Sequence, residues 1–515
     1  MGTRTSSKSR RTSPRSAGSR AQEDATTTPV SGFLPPAIAA GLVFVASGAV
    51  LVLEILSVRL LAPYVGLTLE TTTSIIGAVL AGIALGAALG GWTADRVNPR
   101  RLLVGLLIGG GLLVLLTVPI IRALGPAASE GGNAAAVGVT FAALVPVAAV
   151  LSAVTPTVAR LQLRDLRASG TVVGRLSAWA TAGALLGTFG TGFVLVPLLP
   201  VSSSVLAIGI ALVLAGVLLG AYIRLLGPAK VLTAALLTVA LALLTLAQHS
   251  PCAAETTYHC AQVEVDPERP TAELLLLDRG LNSEIDMHDP RYLGFIYEHW
   301  IGEAIAAIGR PGTPLDAVFV GGGAFTLPRW LQATRPGSRS DTLEVDPELV
   351  AFDRRRLGLR TSPDLRATVG DARLTMQDEP SGSADVIVGD AFSSRTVPWQ
   401  LMTTEWLHDV RRVLKPAGVY ALNMIDLRPL RLLRAEAATL LATFTNVRLV
   451  TLAGEDGRIY GGNEILLASD GPLPREHEPP ADGASAYDRA AVARLVAGAA
   501  PLRDDYAPVD QLETR

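Results

Sequence analysis

The stretch VFVGGGAFTLPRWL, residues 318–331, indicates a short apolar strand, a glycine-rich turn and the start of a helix. Glycine carries no side chain, so three in a row let the backbone come close to a ligand, as in nucleotide-binding turns. The candidate ligand-binding residues of the turn are Gly321, Gly322 and Gly323. The turn predicts a nucleotide-type ligand, but it lacks the full G-x-G-x-x-G pattern and is a weak signal on its own.

Strand-like and helix-like segments alternate around this turn. Such alternation predicts a mostly parallel sheet covered by helices on both faces, which is a Rossmann-like α/β domain. A small β-hairpin is expected just before it, at 260–266 and 272–278. The strand-like segments, in chain order, are AVFVGGG, DTLEVD, RATVGDA, ADVIVGDAF, VYALNMID, VRLVTL and EILLAS.

Acidic residues lie at the ends of three of these strands. Glu344 follows Gly323 by 21 residues, a spacing at which an acid can accept hydrogen bonds from ribose hydroxyls. Asp371 and Asp390 end the next two strands. Because the carboxyl ends of parallel strands meet at one edge of a sheet, we expect the three acids to surround one adenosine-shaped cleft. The alternative is that they are ordinary helix caps and turn residues.

The N-terminal half has the composition of a membrane protein. The whole chain is 49% hydrophobic and only 17% charged, and the charges are sparse before about residue 250. Apolar runs of about 20 residues are long enough to cross a bilayer, and they must be helical there to satisfy their backbone groups. The predicted spans are 36–58, 72–94, 102–122, 134–157, 175–197, 201–222 and 231–247.

These runs predict three regions: a disordered basic tail (1–34), a transmembrane helical domain (35–250) and an α/β domain (251–515). Lys and Arg predominate in the loops assigned to the inside, where we count nine against two in the opposite loops. This bias predicts a multi-pass protein of the cell membrane with a cytoplasmic N-terminus. Seven crossings then place the C-terminal domain outside, in tension with nucleoside chemistry, because nucleoside cosubstrates are scarce there.

Four residues near the membrane half carry open alternatives. Cys252 and Cys260 are the only cysteines, and they are either two inert thiols or a disulfide in an oxidising compartment. Glu54 lies inside the first apolar run, where a buried carboxylate is costly. It is expected either to form an ion pair with Arg59 or to serve a transport or proton path.

Both halves resemble known bacterial proteins. EILSVRLLAPYVG (54–66) and GIALGAALGGWTADR (82–96) resemble the membrane part of proteins in which a major-facilitator-like region is fused to a spermidine synthase-like domain. The C-terminal half is similar to the polyamine aminopropyltransferases, spermidine synthase above all. The segments that carry this second resemblance are LLLLDRGLNSEID, GGGAF, LEVDPELV, VGDARLTM, the long stretch from VIVGDAF to ALNM, and RDDYAPVDQL.

The resemblance implies a role for each acid of the predicted cleft. Glu344 would hold the ribose hydroxyls of decarboxylated S-adenosylmethionine, and Asp371 would accept from its adenine amino group. Asp390 would be the catalytic residue beside the attacking amine. Decarboxylated S-adenosylmethionine, or S-adenosylmethionine, would be a cosubstrate rather than a permanently bound cofactor, and no metal is expected.

Three further positions follow from the same resemblance. Asn282 stands where the family usually has a glutamine near the thioether, and His299 matches a histidine that borders the nucleoside pocket. His299 is equally well explained as a packing residue. Tyr292 lies within one position of a family tyrosine.

Two departures from the family concern the amine. The family's GGGDG is GGGAF here, so Ala324 replaces an acid that would bind the aminopropyl amine. A second acid, three residues after the catalytic one, is replaced by Ser393. The nucleoside half of the predicted site is thus kept, while the amine half has lost two anionic contacts.

The sequence therefore predicts a membrane-anchored, spermidine synthase-like aminopropyltransferase that acts on an amine such as putrescine. The alternatives are an S-adenosylmethionine-dependent transferase with another acceptor, such as a methyltransferase, and a non-catalytic ligand-binding domain on a transporter-like membrane protein. The expected partners are a small-molecule amine and the lipid bilayer, with a homodimer as one assembly of the chain. The net charge of −2 gives no reason to expect nucleic acid.

Overall fold

The computed structural model describes residues 34–66, 69–163, 169–248, 250–278, 280–392, 397–454, 458–474 and 483–513. Apart from Leu34, the predicted basic tail lies outside the described residues, as does Ser393. The described chain contains an N-terminal helical part followed by an α/β part, which confirms the fold class expected from the sequence.

The regular secondary structure of the described N-terminal residues is helical. Seven stretches of its described residues are long and apolar enough to cross a membrane, by length and composition. The fourth predicted span is a helix interrupted at Ala153, and the fifth contains a π-helical turn at Thr191–Leu195. The helices are Pro36–Val65 (α1), Leu69–Ala94 (α2), Pro99–Glu130 (α3), Gly132–Ser152 (α4), Val154–Gln162 (α5), Ser169–Gly190 (α6), Val196–Leu198 (α7), Val201–Tyr222 (α8) and Pro228–Ala247 (α9).

Small residues set the closest helix contacts in this part. A Cβ built on Gly90 of α2 would lie 2.7 Å from Cα of Ala153, at the end of α4. A Cβ on Gly48 of α1 would lie 2.9 Å from the carbonyl oxygen of Gly183 in α6. Glycine at these positions therefore lets the backbones touch, as is typical of helix pairs in membranes.

The structure bears on both open alternatives near the membrane half. Cys252 and Cys260 form a disulfide, with their Cα atoms 5.1 Å apart. No ion pair joins Glu54 and Arg59, both of which are described. The Arg59 guanidinium instead donates to the carbonyl oxygens of Thr256 and Thr257, which directly follow the first strand of the α/β part.

The predicted hairpin is present and belongs to a larger antiparallel sheet. Four strands pair in chain order, and the third turns back into a fourth that carries buried polar side chains, among them Ser283 and Glu284. The strands are Ala254–Glu255 (β1), Cys260–Val265 (β2), Ala272–Leu277 (β3) and Gly280–Asp286 (β4).

The main sheet has eight strands in the order β12-β10-β11-β9-β8-β5-β6-β7. The five strands from β7 to β9 are parallel, and β11, β10 and β12 add antiparallel pairs at the other end. The sequence predicts seven of them and misses the short β12. The strands are Asp316–Val320 (β5), Arg339–Glu344 (β6), Leu365–Val369 (β7), Ala384–Gly389 (β8), Leu414–Leu427 (β9), Asn446–Leu452 (β10), Gly461–Ser469 (β11) and Ala484–Tyr487 (β12).

Helices cover both faces of this sheet. Alternate residues of one strand enter different cores, since Val318 and Val320 pack on one face and Ala317 and Phe319 on the other. The helices are Ile296–Ala306 (α10), Thr326–Thr334 (α11), Pro347–Arg356 (α12), Ala372–Asp378 (α13), Thr404–Val413 (α14), Arg431–Thr443 (α15), Arg489–Val496 (α16) and Val509–Leu512 (α17). Helices α14 and α15 lie against the first core, and α10 and α11 lie against the second.

Candidate active site

The glycine turn joins β5 to α11 and requires its glycines. Gly321 and Gly323 have φ angles of +98° and +48°, which disfavour side chains. A Cβ on Gly323 would also meet the hydroxyl of Ser283, and it would lie 2.8 Å from Oδ1 of Asn282. The backbone of the turn therefore packs directly against β4 and against the end of β6, where a side chain would not fit.

Glu344 ends β6 and is tied to this turn. Its Oε2 accepts from the backbone N–H of Gly322 at 2.7 Å, and its Oε1 accepts from the N–H of Asp346 at 2.9 Å. The residue is only 7% exposed, and burial raises the pKa of its carboxyl, while the two backbone hydrogen bonds oppose that rise. The carboxylate is thus held in one orientation at the wall of the cleft.

Asp371 caps a helix and also lines the cavity. Its side chain accepts from the N–H of Arg373 at 2.9 Å and caps α13. It is nevertheless exposed and lines the same cavity as Glu344. The Arg373 guanidinium bonds Asp504 of the C-terminal RDDYAPVDQL segment at 2.6 Å, which fixes the start of α13.

Asp390 follows β8, and both of its carboxylate oxygens are engaged. Oδ2 accepts from the hydroxyl of Tyr297 at 3.1 Å, and Oδ1 accepts from Nδ2 of Asn423 at 2.8 Å. Asn423 is itself held by Asn463, whose Nδ2 donates to its Oδ1 at 3.0 Å. Burial raises the pKa of Asp390 to about 6, against the effect of the two hydrogen bonds, which favour the ionised form.

Seven of the eight predicted site residues line one large cavity at the carboxyl ends of the parallel strands. The cavity has a volume of about 1130 Å³. Residues of the C-terminal segment and of the loop after β8 form other parts of its wall, including Trp399 and Asp510. The predicted site residues that line it are Asn282, Gly321, Gly322, Gly323, Glu344, Asp371 and Asp390.

A second cavity, of about 470 Å³, adjoins the first at the glycine turn and at Asp390. It is lined by Tyr297 and Glu298 of α10, by apolar side chains, and by the two asparagines behind Asp390. Asp390 therefore stands between a large compartment that holds Glu344 and Asp371 and a smaller one beside α10. The site therefore consists of two adjoining spaces of different volume that share part of their lining.

His299 is not among the described residues that line either cavity. Its Nε2 lies 2.8 Å from the carbonyl oxygen of Leu293, which supports the packing role. The histidine that does line both cavities is His259, whose Nδ1 lies 3.0 Å from Oδ2 of the buried Asp278. Tyr292 also points elsewhere, because its hydroxyl donates to Glu284 at 2.8 Å.

Position 324 contributes no charge to the cavities. Ala324 is fully buried and packs with Leu275, Ile285 and Leu349 between the small sheet and α12. An acid that the sequence did not single out, Glu298, instead lines the smaller cavity. Its pKa is raised to about 8, chiefly by burial, although its Oε2 accepts from the N–H of Phe295 at 3.1 Å.

Sequence reasoning missed Tyr297, Glu298 and Asn423 because none of them lies in a glycine turn or at a signalled strand end. Asn423 lies in the middle of β9, and α10 precedes the glycine turn. The signal that could have found Tyr297 and Glu298 is the polar pair inside the apolar helix pattern GFIYEHWIGEAI. Within the described residues, no group of three or more His, Cys, Asp or Glu side chains is placed to hold a metal ion.

No protein-family model matches the chain. The chain is 26% identical over 183 residues to a polyamine aminopropyltransferase of Vibrio vulnificus, a match that covers 35% of this chain and 59% of that protein. It is 25% identical over 162 residues to a polyamine aminopropyltransferase of Chromobacterium violaceum, covering 32% of this chain and 61% of the relative. A third relative, an eEF1A lysine and N-terminal methyltransferase of Danio rerio, is 27% identical over 128 residues, covering 23% of this chain and 19% of the relative.

Solved structures give the same two kinds of neighbour. A probable spermidine synthase from Corynebacterium glutamicum is 27% identical with a TM-score of 0.45, and the match covers 49% of this chain and 95% of that one. Human methyltransferase-like protein 13 in complex with SAH is 21% identical with a TM-score of 0.31, covering 42% of this chain and 100% of that one.

The chain spans less than two thirds of the length of each of these curated relatives. The matches to the polyamine aminopropyltransferases are nonetheless consistent with the fold and with the strand-end acids described above. The C-terminal part of the chain is therefore homologous to the polyamine aminopropyltransferases, the spermidine synthase-like proteins.

Proposed function

We propose that the protein is a membrane-anchored, spermidine synthase-like aminopropyltransferase that moves an aminopropyl group from decarboxylated S-adenosylmethionine to an amine such as putrescine. The single observation that carries the proposal is that Glu344, Asp371 and Asp390 line one cavity with the glycine turn. The volume of about 1130 Å³ is ample for a nucleoside cosubstrate.

In this proposal the larger cavity binds the nucleoside. Glu344 keeps lone pairs free after accepting its two backbone hydrogen bonds, and these accept from the ribose hydroxyls. Asp371 accepts from the adenine amino group. The sulfonium end of the ligand would lie in the part of the cavity that Gly321–Gly323 and Asn282 line.

Asp390 lies where the group transfer would occur. The acceptor nitrogen attacks the aminopropyl carbon bound to the sulfonium; the new C–N bond forms as the C–S bond breaks, and methylthioadenosine leaves with the electron pair. A primary amine is mostly protonated at neutral pH, since its pKa is about 10.4. With a pKa of about 6, Asp390 is mostly ionised at neutral pH, so it can orient the ammonium and accept its proton.

The acceptor would enter the smaller cavity. Glu298 and Asp390 are acids on its wall, and they could hold two amino groups of one acceptor despite the alanine at position 324. Glu298 is largely protonated at neutral pH in the empty protein, and a bound cation would favour its ionised form. The aromatic rings of Tyr297, Phe295 and Phe319 would pack along the carbon chain between the amino groups.

A second candidate is an S-adenosylmethionine-dependent methyltransferase. The observation that favours it is the match to the methyltransferase of Danio rerio, together with the uncharged, buried Ala324. Asp390 and Asn423 would then hold a nucleophilic amine in a comparable position. The two candidates differ in the group that leaves the sulfonium and therefore in the product nucleoside.

The decisive experiment uses the full-length protein in lipid nanodiscs. Calorimetric titration with decarboxylated S-adenosylmethionine, S-adenosylmethionine and methylthioadenosine identifies the nucleoside, and release of methylthioadenosine in the presence of putrescine measures transfer. We expect binding of the decarboxylated form and turnover. Binding of S-adenosylmethionine alone would favour the methyltransferase, and the absence of all binding would refute both candidates.

Two variants assign the roles. Asp390→Asn should leave nucleoside affinity within about twofold and lower turnover by roughly 10²–10⁴-fold, the usual contribution of a general base. Glu344→Gln should weaken nucleoside binding. The amide nitrogen that replaces one carboxylate oxygen cannot accept a hydrogen bond, so the N–H of either Gly322 or Asp346 loses its acceptor. If both variants lose nucleoside binding equally, Glu344 and Asp390 do not have the separate roles of binding the nucleoside and of assisting the transfer.

We also propose that the apolar helices cross the cell membrane seven times, with the N-terminus inside and the C-terminal domain outside. The excess of Lys and Arg in the inside-assigned loops supports this orientation. An alkaline phosphatase reporter fused after residue 515 should be active, and a fluorescent reporter that folds only in the cytoplasm should not. The opposite pattern would place the catalytic domain in the cytoplasm.

A further inference from the structure

The membrane half forms part of the wall of the large cavity. Val65 and Gly66, at the end of α1, and Thr72 of α2 line it beside the glycine turn and Glu344. The candidate nucleoside site is therefore built from both halves of the chain. The sequence predicts no role for the place where the two halves meet, and the proposed chemistry uses none of the polar residues there.

The contact between the halves runs through the segment 252–260, which the Cys252–Cys260 disulfide closes into a loop. We call this segment the disulfide loop. On one side, Oε2 of its Glu255 accepts from the N–H of Val201 at 2.7 Å, at the start of α8. On the other side, Tyr258 and His259 line the large cavity.

Arg59 of α1 forms hydrogen bonds with the centre of the disulfide loop. Its two terminal nitrogens donate to the carbonyl oxygens of Thr256 and Thr257. The buried side chain of Thr256 then donates from Oγ1 to Oδ2 of Asp346. A guanidinium that donates to two neighbouring carbonyls holds both peptide groups in one orientation. This orientation in turn positions the Thr256 hydroxyl.

Asp346 carries the connection into the candidate site. It is fully buried, and its N–H donates to Oε1 of Glu344 at 2.9 Å. The other carboxylate oxygen of Glu344 accepts from Gly322 of the glycine turn. An unbroken series of hydrogen bonds therefore runs from the first apolar helix to the acid at the nucleoside wall.

We propose that Arg59 is a positioning residue for the nucleoside site and acts on Glu344 through Thr256 and Asp346. The proposal rests on the proposed nucleoside-binding function and adds to it that the membrane half is a working part of the site. Removing the guanidinium leaves two carbonyls without a donor and frees the Thr256 hydroxyl from Asp346. Glu344 then loses the rigid support of one of its two N–H donors.

The test compares four variants of the full-length protein in nanodiscs. Thr256→Val removes the hydroxyl at nearly constant volume, and Thr256→Ser keeps it. Arg59→Lys keeps a cation that can still donate to a carbonyl. Arg489→Ala is the matched control, because Arg489 also donates to two carbonyls, those of Phe444 and Leu441, but it lies at the start of α16, outside the disulfide loop, and lines neither cavity.

We expect Thr256→Val to weaken methylthioadenosine binding about tenfold, a change equivalent to about 1.4 kcal/mol. Thr256→Ser should restore binding to within about twofold, and Arg59→Lys should lie between them. KM for the nucleoside should rise while kcat changes by less than about twofold, a split that a loss of folded protein would not produce. The proposal is overturned if Thr256→Val binds as the wild type does or if Arg489→Ala weakens binding equally.

A second readout needs no ligand. Hydrogen exchange at the amides of Gly322 and Asp346, followed in the peptide 318–349, should be faster in Thr256→Val than in the wild type and unchanged in Arg489→Ala. Unchanged exchange in Thr256→Val overturns the positioning role even if nucleosides bind. Faster exchange in a protein that binds no nucleoside supports the connection and refutes the proposed function instead.

Discussion

The hydroxyl of Tyr297 donates to Oδ2 of Asp390 at 3.1 Å, although the two residues come from a helix before the glycine turn and a strand end well after it. Asn423 donates to the other oxygen at 2.8 Å, so both carboxylate oxygens are bonded and rotation of the group is restricted. Asp390 also lines both cavities. This arrangement holds a potential base in one orientation at the boundary between two ligand spaces.

The first prediction concerns the pH dependence of catalysis. Because the pKa of Asp390 is raised to about 6, kcat/KM should be half-maximal near pH 6 and fall as the carboxyl becomes protonated below it. Asn423→Leu removes a hydrogen bond that favours the ionised form, so the midpoint should move to higher pH. A pH–rate profile between pH 5 and 9 measures the shift.

The control for this profile is Asn446→Leu. Asn446 also donates one side-chain hydrogen bond, at 2.8 Å to the carbonyl oxygen of Gly471, but it lies at the start of β10 and lines neither cavity. Its variant should keep the wild-type midpoint. A midpoint that is unmoved in Asn423→Leu would mean that Asp390 does not control the profile.

The second prediction compares two glycines in left-handed conformation. Gly323 has a φ of +48°, and a Cβ there would meet Ser283 and Asn282; Gly312 has a φ of +77° and open space around it. Gly312→Ala should therefore cost only backbone strain, about 1 kcal/mol. Gly323→Ala adds a clash between the turn and β4, so it should both lower the melting temperature further and abolish nucleoside binding.

Calorimetric titration with methylthioadenosine and thermal unfolding in nanodiscs measure both effects. The Gly312→Ala protein should bind as the wild type does. Retention of binding in Gly323→Ala would show that the turn can shift away from β4 without loss of the site, contrary to the fixed geometry inferred here.

The glycine turn and the strand-end acids could be predicted because parallel strands bring their carboxyl ends to one edge, whatever the details of packing. Asn423 could not, since its place beside Asp390 depends on the register in which Gly389 of β8 pairs with Leu422 of β9. Strand β4 was missed for a different reason. Its buried residues include the polar Ser283 and Glu284, so the alternation of apolar and polar residues that signals a strand is absent.

The membrane half shows a comparable limit. The apolar runs predict helices of spanning length because composition alone decides that property. The interruption at Ala153 does have a signal in the sequence, since the more polar segment that follows it contains Pro156, and proline disturbs a helix that would continue through it. The predicted span runs through this proline because the run as a whole is long and apolar enough to cross a bilayer. The role of Arg59 was also out of reach, since its partners lie almost 200 residues further along the chain.

The third prediction concerns stability and follows from Glu298. A carboxyl with a pKa of about 8 in the folded protein and about 4.5 when unfolded binds its proton more tightly in the folded state. The free energy of unfolding should therefore fall as the pH rises from about 4.5 to about 8, because over this range the unfolded chain releases the proton that the folded protein retains. Glu298→Gln removes this titration, and its carbonyl can still accept from the N–H of Phe295, so the start of α10 stays capped.

Apparent melting temperatures in nanodiscs at pH 5, 7 and 8.5 test this. Near pH 5 the two proteins should unfold at similar temperatures, and at pH 8.5 the variant should be the more stable by several degrees. Other groups titrate in both proteins, so their effects largely cancel in the difference. If the wild type is the more stable at pH 8.5, Glu298 is ionised and paired at that pH, and the acid on the wall of the smaller cavity already carries its charge before any amine arrives.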